Sequence, residues 1–158
     1  MGIKMDKKLR KVSVLVIMIV ASFAFTITAS ASTSRSLPVM NAFFSEGQSV
    51  AYSNAVGHTL SGYSNSTIMR SVTVTGTLGS SISPLTTRDI NLYIYLDGQY
   101  YLIGYQTIPV GRFSATINIS EYNLSPNNTY FIEFEGGRII GSAMGACTIT
   151  GGTITYNF

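Results

Sequence analysis

Few of the residue types that catalyse reactions or bind metal ions occur in this sequence. His58 is the single histidine and Cys147 the single cysteine. A nucleophile needs a base within hydrogen-bond reach, a zinc site needs several His and Cys ligands, and calcium needs clustered oxygen ligands. Only Glu133 and Glu135 are close together in sequence. We therefore predict no catalytic residues, no metal site and no cofactor, and take His58 as a solvated residue of a loop.

The two glutamates are the one carboxylate pair with a spacing that is relevant to catalysis. On a strand, residues i and i+2 project to the same face, roughly 6 to 7 Å apart. That distance lies between the separations used by retaining and inverting glycosidases. Glycosidases usually hold the pair on different strands around a deep cleft, for which a small domain has little room. We therefore favour a solvated charged face at Glu133 and Glu135.

Aromatic residues give a stronger indication of binding. Tyr93, Tyr95 and Tyr100 fall on the less aliphatic face of a predicted hairpin. Planar rings with hydroxyl tips suit sugar rings or the surface of a protein partner, because they offer apolar area at low entropy cost. Cross-strand tyrosine pairs also stabilise a sheet without any ligand, and a different register would bury the rings. We take these three tyrosines as the candidate ligand-binding residues, with both structural alternatives open.

The hairpin that positions the tyrosines is predicted over residues 90–105. Apolar residues occupy every second position of 92–96, which is the period of a strand, and Asp97-Gly98 is a typical two-residue turn. A two-residue loop pairs Leu96 with Gln99. This register places on one face Leu92, Ile94, Leu96, Tyr101, Ile103 and Tyr105, and on the other Tyr93, Tyr95, Tyr100, Leu102 and Gly104.

Alternating segments also flank the hairpin. Strands are predicted at 48–52, 71–78, 112–119 and 130–135, whereas 53–67 is predicted to be a loop. Residues 147–158 are predicted to form either a hairpin at Gly151-Gly152 or one bulged strand. Apart from the N-terminal segment, no stretch has a sustained helical period. The pattern predicts an all-β, antiparallel two-sheet sandwich.

The first 31 residues are predicted to be a secretory signal peptide. Five basic residues precede an apolar run over 12–27, and Ala29-Ser30-Ala31 has the small-x-small form of a cleavage site. The run has about 16 residues, whereas a spanning helix needs about 20. Cleavage after Ala31 is therefore favoured over a retained anchor. We divide the remainder into a flexible lead at 32–48, docked through Phe43 and Phe44, and a domain at 49–158.

Removal of the signal peptide reverses the sign of the net charge. The remaining chain has five arginines, six acidic residues and no lysine. A chain that is slightly negative gives no indication of binding to nucleic acid or to anionic membranes. We predict a secreted, extracellular protein that binds neither of them.

A short motif before the strand at 130–135 resembles a known family feature. Leu124 and Pro126 are two residues apart, and Tyr130 follows four residues later. This spacing resembles the tyrosine corner before strand F of fibronectin type III and related immunoglobulin-like domains. The resemblance implies an immunoglobulin-like sandwich in which the Tyr130 hydroxyl bonds backbone near the corner.

The resemblance extends over residues 70–158. The segments at 71–78, 90–105 and 112–119 are similar in order to strands B, C, C′ and E. The Asp-Gly hairpin and Gly111-Arg112-Phe113 resemble features of prealbumin-like bacterial surface modules. The chain departs from fibronectin type III domains in having no tryptophan, and the resemblance implies no activity.

Three functional hypotheses follow. The first is a non-enzymatic module that binds a carbohydrate or protein, such as an extracellular polymer, through the tyrosine face. The second is a structural matrix component that assembles through exposed edge strands. The third, which we favour least, is a small glycoside hydrolase that uses Glu133 and Glu135.

Overall fold

Two antiparallel sheets pack against each other in a computed structural model, which describes residues 31–44, 54–80, 87–135 and 145–158. The predicted all-β sandwich is thereby confirmed. Residues 1–30 of the signal peptide predicted at 1–31, and the strand predicted at 48–52, lie outside the described residues. In the part of the chain that is described, no helix is long and apolar enough to cross a membrane.

Nine strands are described. They are β1 (Ser32–Ser36), β2 (Met40–Phe44), β3 (Asn54–Thr59), β4 (Ser71–Ser80), β5 (Thr87–Leu96), β6 (Gln99–Pro109), β7 (Gly111–Asn118), β8 (Thr129–Phe134) and β9 (Gly145–Asn157). A 3-10 helix at Ser120–Tyr122 lies between β7 and β8. The five-stranded sheet has the order β1-β9-β4-β7, with β2 also paired to β9, and the four-stranded sheet has the order β3-β8-β5-β6.

The core forms because alternate residues of each strand point between the sheets. Ile90, Leu92 and Ile94 of β5 face Val72 and Val74 of β4 across the same buried cluster. Each such side chain contributes roughly 1.5 to 3 kcal/mol when it is fully buried. The burial of every second residue therefore determines which residues of the four-stranded sheet remain on its outer face.

The hairpin register agrees with the prediction for four pairs and then changes. Leu96 pairs with Gln99 and the alternation holds as far as Tyr93 and Leu102, but Leu92 pairs with Gly104 rather than with Ile103. This β-bulge reverses the side-chain direction in the second half of β6. The predicted faces are therefore wrong for two residues: Gly104 lies on the core side and Tyr105 on the outer side.

The bulge has a packing reason. Without the shift, Ile108 would point to solvent, whereas it is fully buried in the structure. Gly104 lies so close to Ile117 that a Cβ atom would overlap its side chain. Because Gly104 has no side chain, Ile117 has room in the core at the point where β6 shifts register.

Three N-terminal strands occur where no strand is predicted. β1 and β2 lie within the supposed flexible lead at 32–48, and both pair with β9. β3 lies within the supposed loop at 53–67 and pairs with β8. For the described part of the lead, and for β3, the sequence analysis is corrected. β1 is serine-rich and β3 has no apolar alternation, so neither shows the pattern that reveals a strand, and each depends on backbone pairing to a neighbouring strand.

The C-terminal segment is one bulged strand, which resolves the two alternatives for residues 147–158. β9 pairs with β4 throughout, and its register shifts between Thr75 and Thr77. Gly151 at the shift has a φ of 54°, a conformation that glycine adopts without steric cost. Gly152 lies against the backbone of Thr75, where a Cβ atom would overlap the carbonyl group.

Substitution Gly152→Ala tests this contact. We expect the free energy of unfolding to fall by about 1 to 3 kcal/mol, since the new methyl group must displace the backbone of β4. Gly79→Ala on the same strand pair is the control. Its Cβ atom would lie 3.7 Å from the Thr148 carbonyl oxygen, so we expect a change within about 0.5 kcal/mol. Equal unfolding midpoints in urea for the two variants would contradict the close contact.

Candidate ligand-binding face

Three aromatic rings form a cluster on the outer face of the four-stranded sheet. Tyr95 and Tyr100 are direct cross-strand partners, and their ring centroids are 4.9 Å apart. The Phe131 ring lies 5.0 Å from that of Tyr100, nearly perpendicular to it. Tyr95 is 40% exposed and Tyr100 60% exposed. The structure therefore brings two of the three predicted tyrosines into one solvent-facing cluster.

Phe131 is a member of this cluster that the sequence analysis missed. It pairs with Gly57 of β3, and its ring covers that glycine so closely that a Cβ atom would overlap it. The glycine thus lets the ring lie flat on the sheet and form the floor of the cluster. A signal was present in the sequence, since Phe131 is a large apolar residue at an outward position between Tyr130 and Ile132.

Tyr93 lies on the same face but has a different role. Its side chain lies beside the Glu133 carboxylate. Burial raises the pKa of Tyr93 above its usual range, and the neighbouring carboxylates of Glu133 and Glu135 raise it further. The tyrosine therefore links the aromatic cluster to the carboxylates. A shallow depression of about 350 Å³ is lined by Ala55, Tyr93, Tyr100, Phe131 and Glu133. We call this surface the aromatic face.

The two glutamates are joined by one buried amide. Asn91 is 6% exposed, and its Nδ2 donates to Glu133 Oε2 at 3.2 Å and to Glu135 Oε2 at 2.8 Å. The two acceptor oxygens are therefore within about 6 Å of each other. Beyond them, Thr107 donates a hydrogen bond to Asp89. Among the described residues, no group of three or more His, Cys, Asp or Glu side chains is arranged to hold a metal ion.

The structural residues named from the sequence lie at either end of the strands that carry the face. Asp97 and Gly98 form the hairpin turn with φ values of 50° and 81°, which a two-residue turn of this type requires. At the start of β8, the Tyr130 hydroxyl donates a 2.7 Å hydrogen bond to the Ser125 carbonyl oxygen. This is the kind of backbone bond that the family resemblance implies. Burial raises the pKa of Tyr130 to about 12, so the hydroxyl stays a donor at physiological pH.

His58 lies on β3 and points toward the core, so its assignment to a solvated loop is corrected. Its Nδ1 is 2.9 Å from the Tyr156 hydroxyl oxygen, a contact that joins the two sheets. Partial burial lowers the pKa of His58, and the charge of Arg35 lowers it further. Burial raises the pKa of Tyr156. The pair is a neutral hydrogen bond between the sheets, away from the aromatic face.

This arrangement suits binding through rings and hydrogen bonds. Exposed aromatic rings pack against the C–H faces of a sugar or against apolar groups of a partner, and the carboxylates accept hydrogen bonds from its donors. The two glutamates lie on an open sheet face beside each other, with no cleft between them in the described part of the chain. No protein-family model matches the chain, and no curated protein is significantly similar to it.

The His58–Tyr156 pair predicts a pH dependence of stability. The pKa of His58 in the folded state is below its usual value of 6.5, so the unfolded chain takes up the proton first as the pH falls. The stability from neutral His58 is complete above pH 6.5 and is lost as the pH falls through the folded pKa. We expect the melting temperature of the wild type to fall between pH 7 and pH 5 by about 1 to 4 °C more than that of His58→Gln. Parallel melting curves for the two proteins would contradict this account.

Proposed function

We propose that this protein is a secreted, non-enzymatic binding module that holds an extracellular carbohydrate on the aromatic face. The observation that carries the proposal is the exposed ring cluster of Tyr95, Tyr100 and Phe131, with Glu133 in the same depression. Rings needed only for sheet stability can lie flat and covered, whereas these tyrosines retain much of their surface in solvent. Exposed apolar patches bordered by polar groups are typical of interaction sites.

The geometry of the rings suits the faces and edges of a sugar. The rings belong to three adjacent strands, β6, β5 and β8, but their centroids lie only 4.9 to 6.5 Å apart and their planes are inclined at 53 to 75° to one another. They therefore form one compact cluster with carboxylates at one side. An aromatic cluster with a polar border is suited to the rings of a glycan, which combine apolar faces with hydroxyl edges.

The secreted location and the immunoglobulin-like type are parts of the same proposal. The N-terminal pattern supports export, and cleavage after Ala31 would release a chain that contains β1 to β9. The pairing of β4 with β7 and the strand order β8-β5-β6 correspond to the B–E pair and the F–C–C′ order of that fold, and the Tyr130 bond supports the assignment. The order departs at the edges, where β9 lies beside β4 and β3 beside β8, whereas in that fold the last strand joins strand F.

A pull-down on insoluble polysaccharides tests the proposed binding. We expect residues 32–158 to be retained by at least one cell-wall or plant polymer, and Tyr95→Ala/Tyr100→Ala to be retained at least about tenfold less, because two stacking rings are lost. Tyr122→Ala is the matched control, since that tyrosine is equally exposed but lies on the 3-10 helix. Circular dichroism and melting temperature establish folding. Equal retention of all three proteins, or of none, would refute the aromatic face as a carbohydrate site.

A self-assembling structural component is the second candidate, and one observation favours it. The 11-residue β6 is one of the two edge strands of the four-stranded sheet, and it carries the exposed residues Leu102 and Tyr105, at 53% and 64%. Uncovered apolar edge strands are sites of strand-to-strand association. The bulge at Ile103 and the proline at position 109 oppose this, because each interrupts the regular edge that a second strand would need.

Sedimentation velocity distinguishes the two candidates. Since the edge of β6 is interrupted, we expect the wild type to remain monomeric as its concentration is raised. Leu102→Lys and the control Val39→Lys, which changes an exposed residue outside the strands, should then sediment alike. Oligomers of the wild type that Leu102→Lys dissociates and Val39→Lys does not would favour the structural role.

A further inference from the structure

We infer that the ligand of the aromatic face is a cationic glycan, a polymer of amino sugars that carry free amino groups. This inference rests on the proposed function and specifies its substrate class. It follows from the position of the carboxylates relative to the rings and from the amide group that holds two of them together.

The aromatic rings and the Glu133 carboxylate share one depression. Glu133 lines it together with Phe131 and Tyr100, so a ligand that packs on the rings lies beside a negative charge. Asn91, which donates a hydrogen bond to Glu133 Oε2, holds the carboxylate at the side of the rings. A neutral sugar would use only the acceptor oxygens, whereas a protonated amine would also use the charge.

Two negative charges are held close together by a neutral group. Asn91 Nδ2 donates to both Glu133 and Glu135, and Asn91 is itself almost fully buried. Two carboxylates at this separation repel each other, and an amide does not neutralise them. A cation placed above the pair removes the repulsion, so the site gains more from an ammonium group than from a hydroxyl.

The surrounding surface adds charges of both signs. Asp89 adds a third carboxylate to this side of the sheet, and Arg88 lines a neighbouring depression with Asp89 and Glu135. The three carboxylates of Asp89, Glu133 and Glu135 outnumber this one arginine, so the net charge of the four side chains is negative. Sulfated or phosphorylated polymers are repelled by such a surface, whereas the faces of Tyr100 and Phe131 attract cations through their ring quadrupoles.

A glycan is favoured over a basic peptide because of where the face lies. β5 and β8 are interior strands with neighbours on both sides. Tyr93 lies on β5, and Phe131 and Glu133 lie on β8. Their backbone groups are paired within the sheet, so an extended peptide cannot add to them as a further strand. Recognition at this face therefore depends on side chains alone, as in the binding of sugar rings.

Isothermal titration with two matched oligosaccharides tests the inference. The probes are a glucosamine hexamer and its fully N-acetylated form, at a mildly acidic pH that protonates the free amines. We expect the free-amine hexamer to bind at least about tenfold more tightly, and its affinity to fall as salt is raised from about 20 to about 300 mM. The acetylated hexamer should be insensitive to salt, since it has no charge.

Variants that replace each carboxylate by a neutral amide test whether the preference for the free-amine hexamer depends on Glu133 and Glu135. We expect Glu133→Gln and Glu135→Gln each to weaken binding of the free-amine hexamer about three- to tenfold. The affinity for the acetylated hexamer should fall less, because glutamine keeps one acceptor oxygen and loses only the charge. Glu121→Gln, on the exposed 3-10 helix, is the control and should change neither. Melting temperatures confirm that the variants are folded, and the salt dependence of the wild type is a measurement that needs no variant.

The outcomes separate this inference from the proposed function. Equal affinity for the two hexamers, or loss of binding in Tyr95→Ala/Tyr100→Ala but not in Glu133→Gln or Glu135→Gln, would overturn the cationic ligand and leave the carbohydrate module intact. Binding of a polylysine peptide but of neither hexamer would overturn the glycan and identify a basic protein as the partner. Absence of binding to all three probes and to every polysaccharide would overturn both.

Discussion

The alternation of side chains along β8 is the constraint on which the rest of the molecule depends. Tyr130, Ile132 and Phe134 are completely buried between the sheets, so the residues between them must point outward. Phe131 and Glu133 thereby occupy the centre of the outer face, with β3 on one side and β5 on the other. The core and the candidate site are thus two sides of one strand, and the hydrophobic burial that stabilises the fold also directs the site residues.

The outer faces of the two sheets differ in a way that singles out one of them. On the five-stranded sheet, hydroxyl groups pair across strands, as between Thr73 and Thr116 and between Thr75 and Thr153. Such pairs stabilise a sheet and satisfy each other's hydrogen bonds. The four-stranded sheet instead presents rings and carboxylates. Those groups retain unused apolar area and unused charge, which is what a ligand requires.

The sequence predicts those parts of the fold that depend on the alternation of apolar residues and on turn residues. It does not predict the strands and register shifts that depend on pairing with a strand distant in sequence. The alternation over 92–96 and the Asp97-Gly98 turn predict the hairpin and its first four pairs. The bulge at Ile103 depends on Ile108 and Ile117 reaching a common core, which is a tertiary condition. β1 and β3 have no apolar alternation and form because β9 and β8 offer them backbone partners.

The candidate site was predictable to a similar extent. Tyr95 and Tyr100 could be placed together because the two-residue turn makes them direct partners, whereas Phe131 and Asn91 could not, since their positions depend on β8 lying beside β5. Asn91 was the less predictable of the two. A single asparagine in a strand does not indicate that its amide will donate hydrogen bonds to two glutamates about forty residues later in the sequence. The alternation along a strand predicts which face of the sheet a residue occupies. It does not predict which residue lies beside it on a strand that is distant in sequence.

The same residues that suggest a site are those that fit least well with stability alone. A buried asparagine, two close carboxylates and two exposed tyrosines each cost the folded state something that an aliphatic or a lysine residue at that position would avoid. Natural sequences depart from locally favourable choices mainly at functional positions. The hydrogen bonds from Asn91 hold the carboxylates in place before any ligand arrives, so a ligand that binds there does not have to order them. If the proposed ligand binds there, the cost in the folded state is offset on binding, and the proposed function thereby accounts for the position of these residues on one face of the sheet.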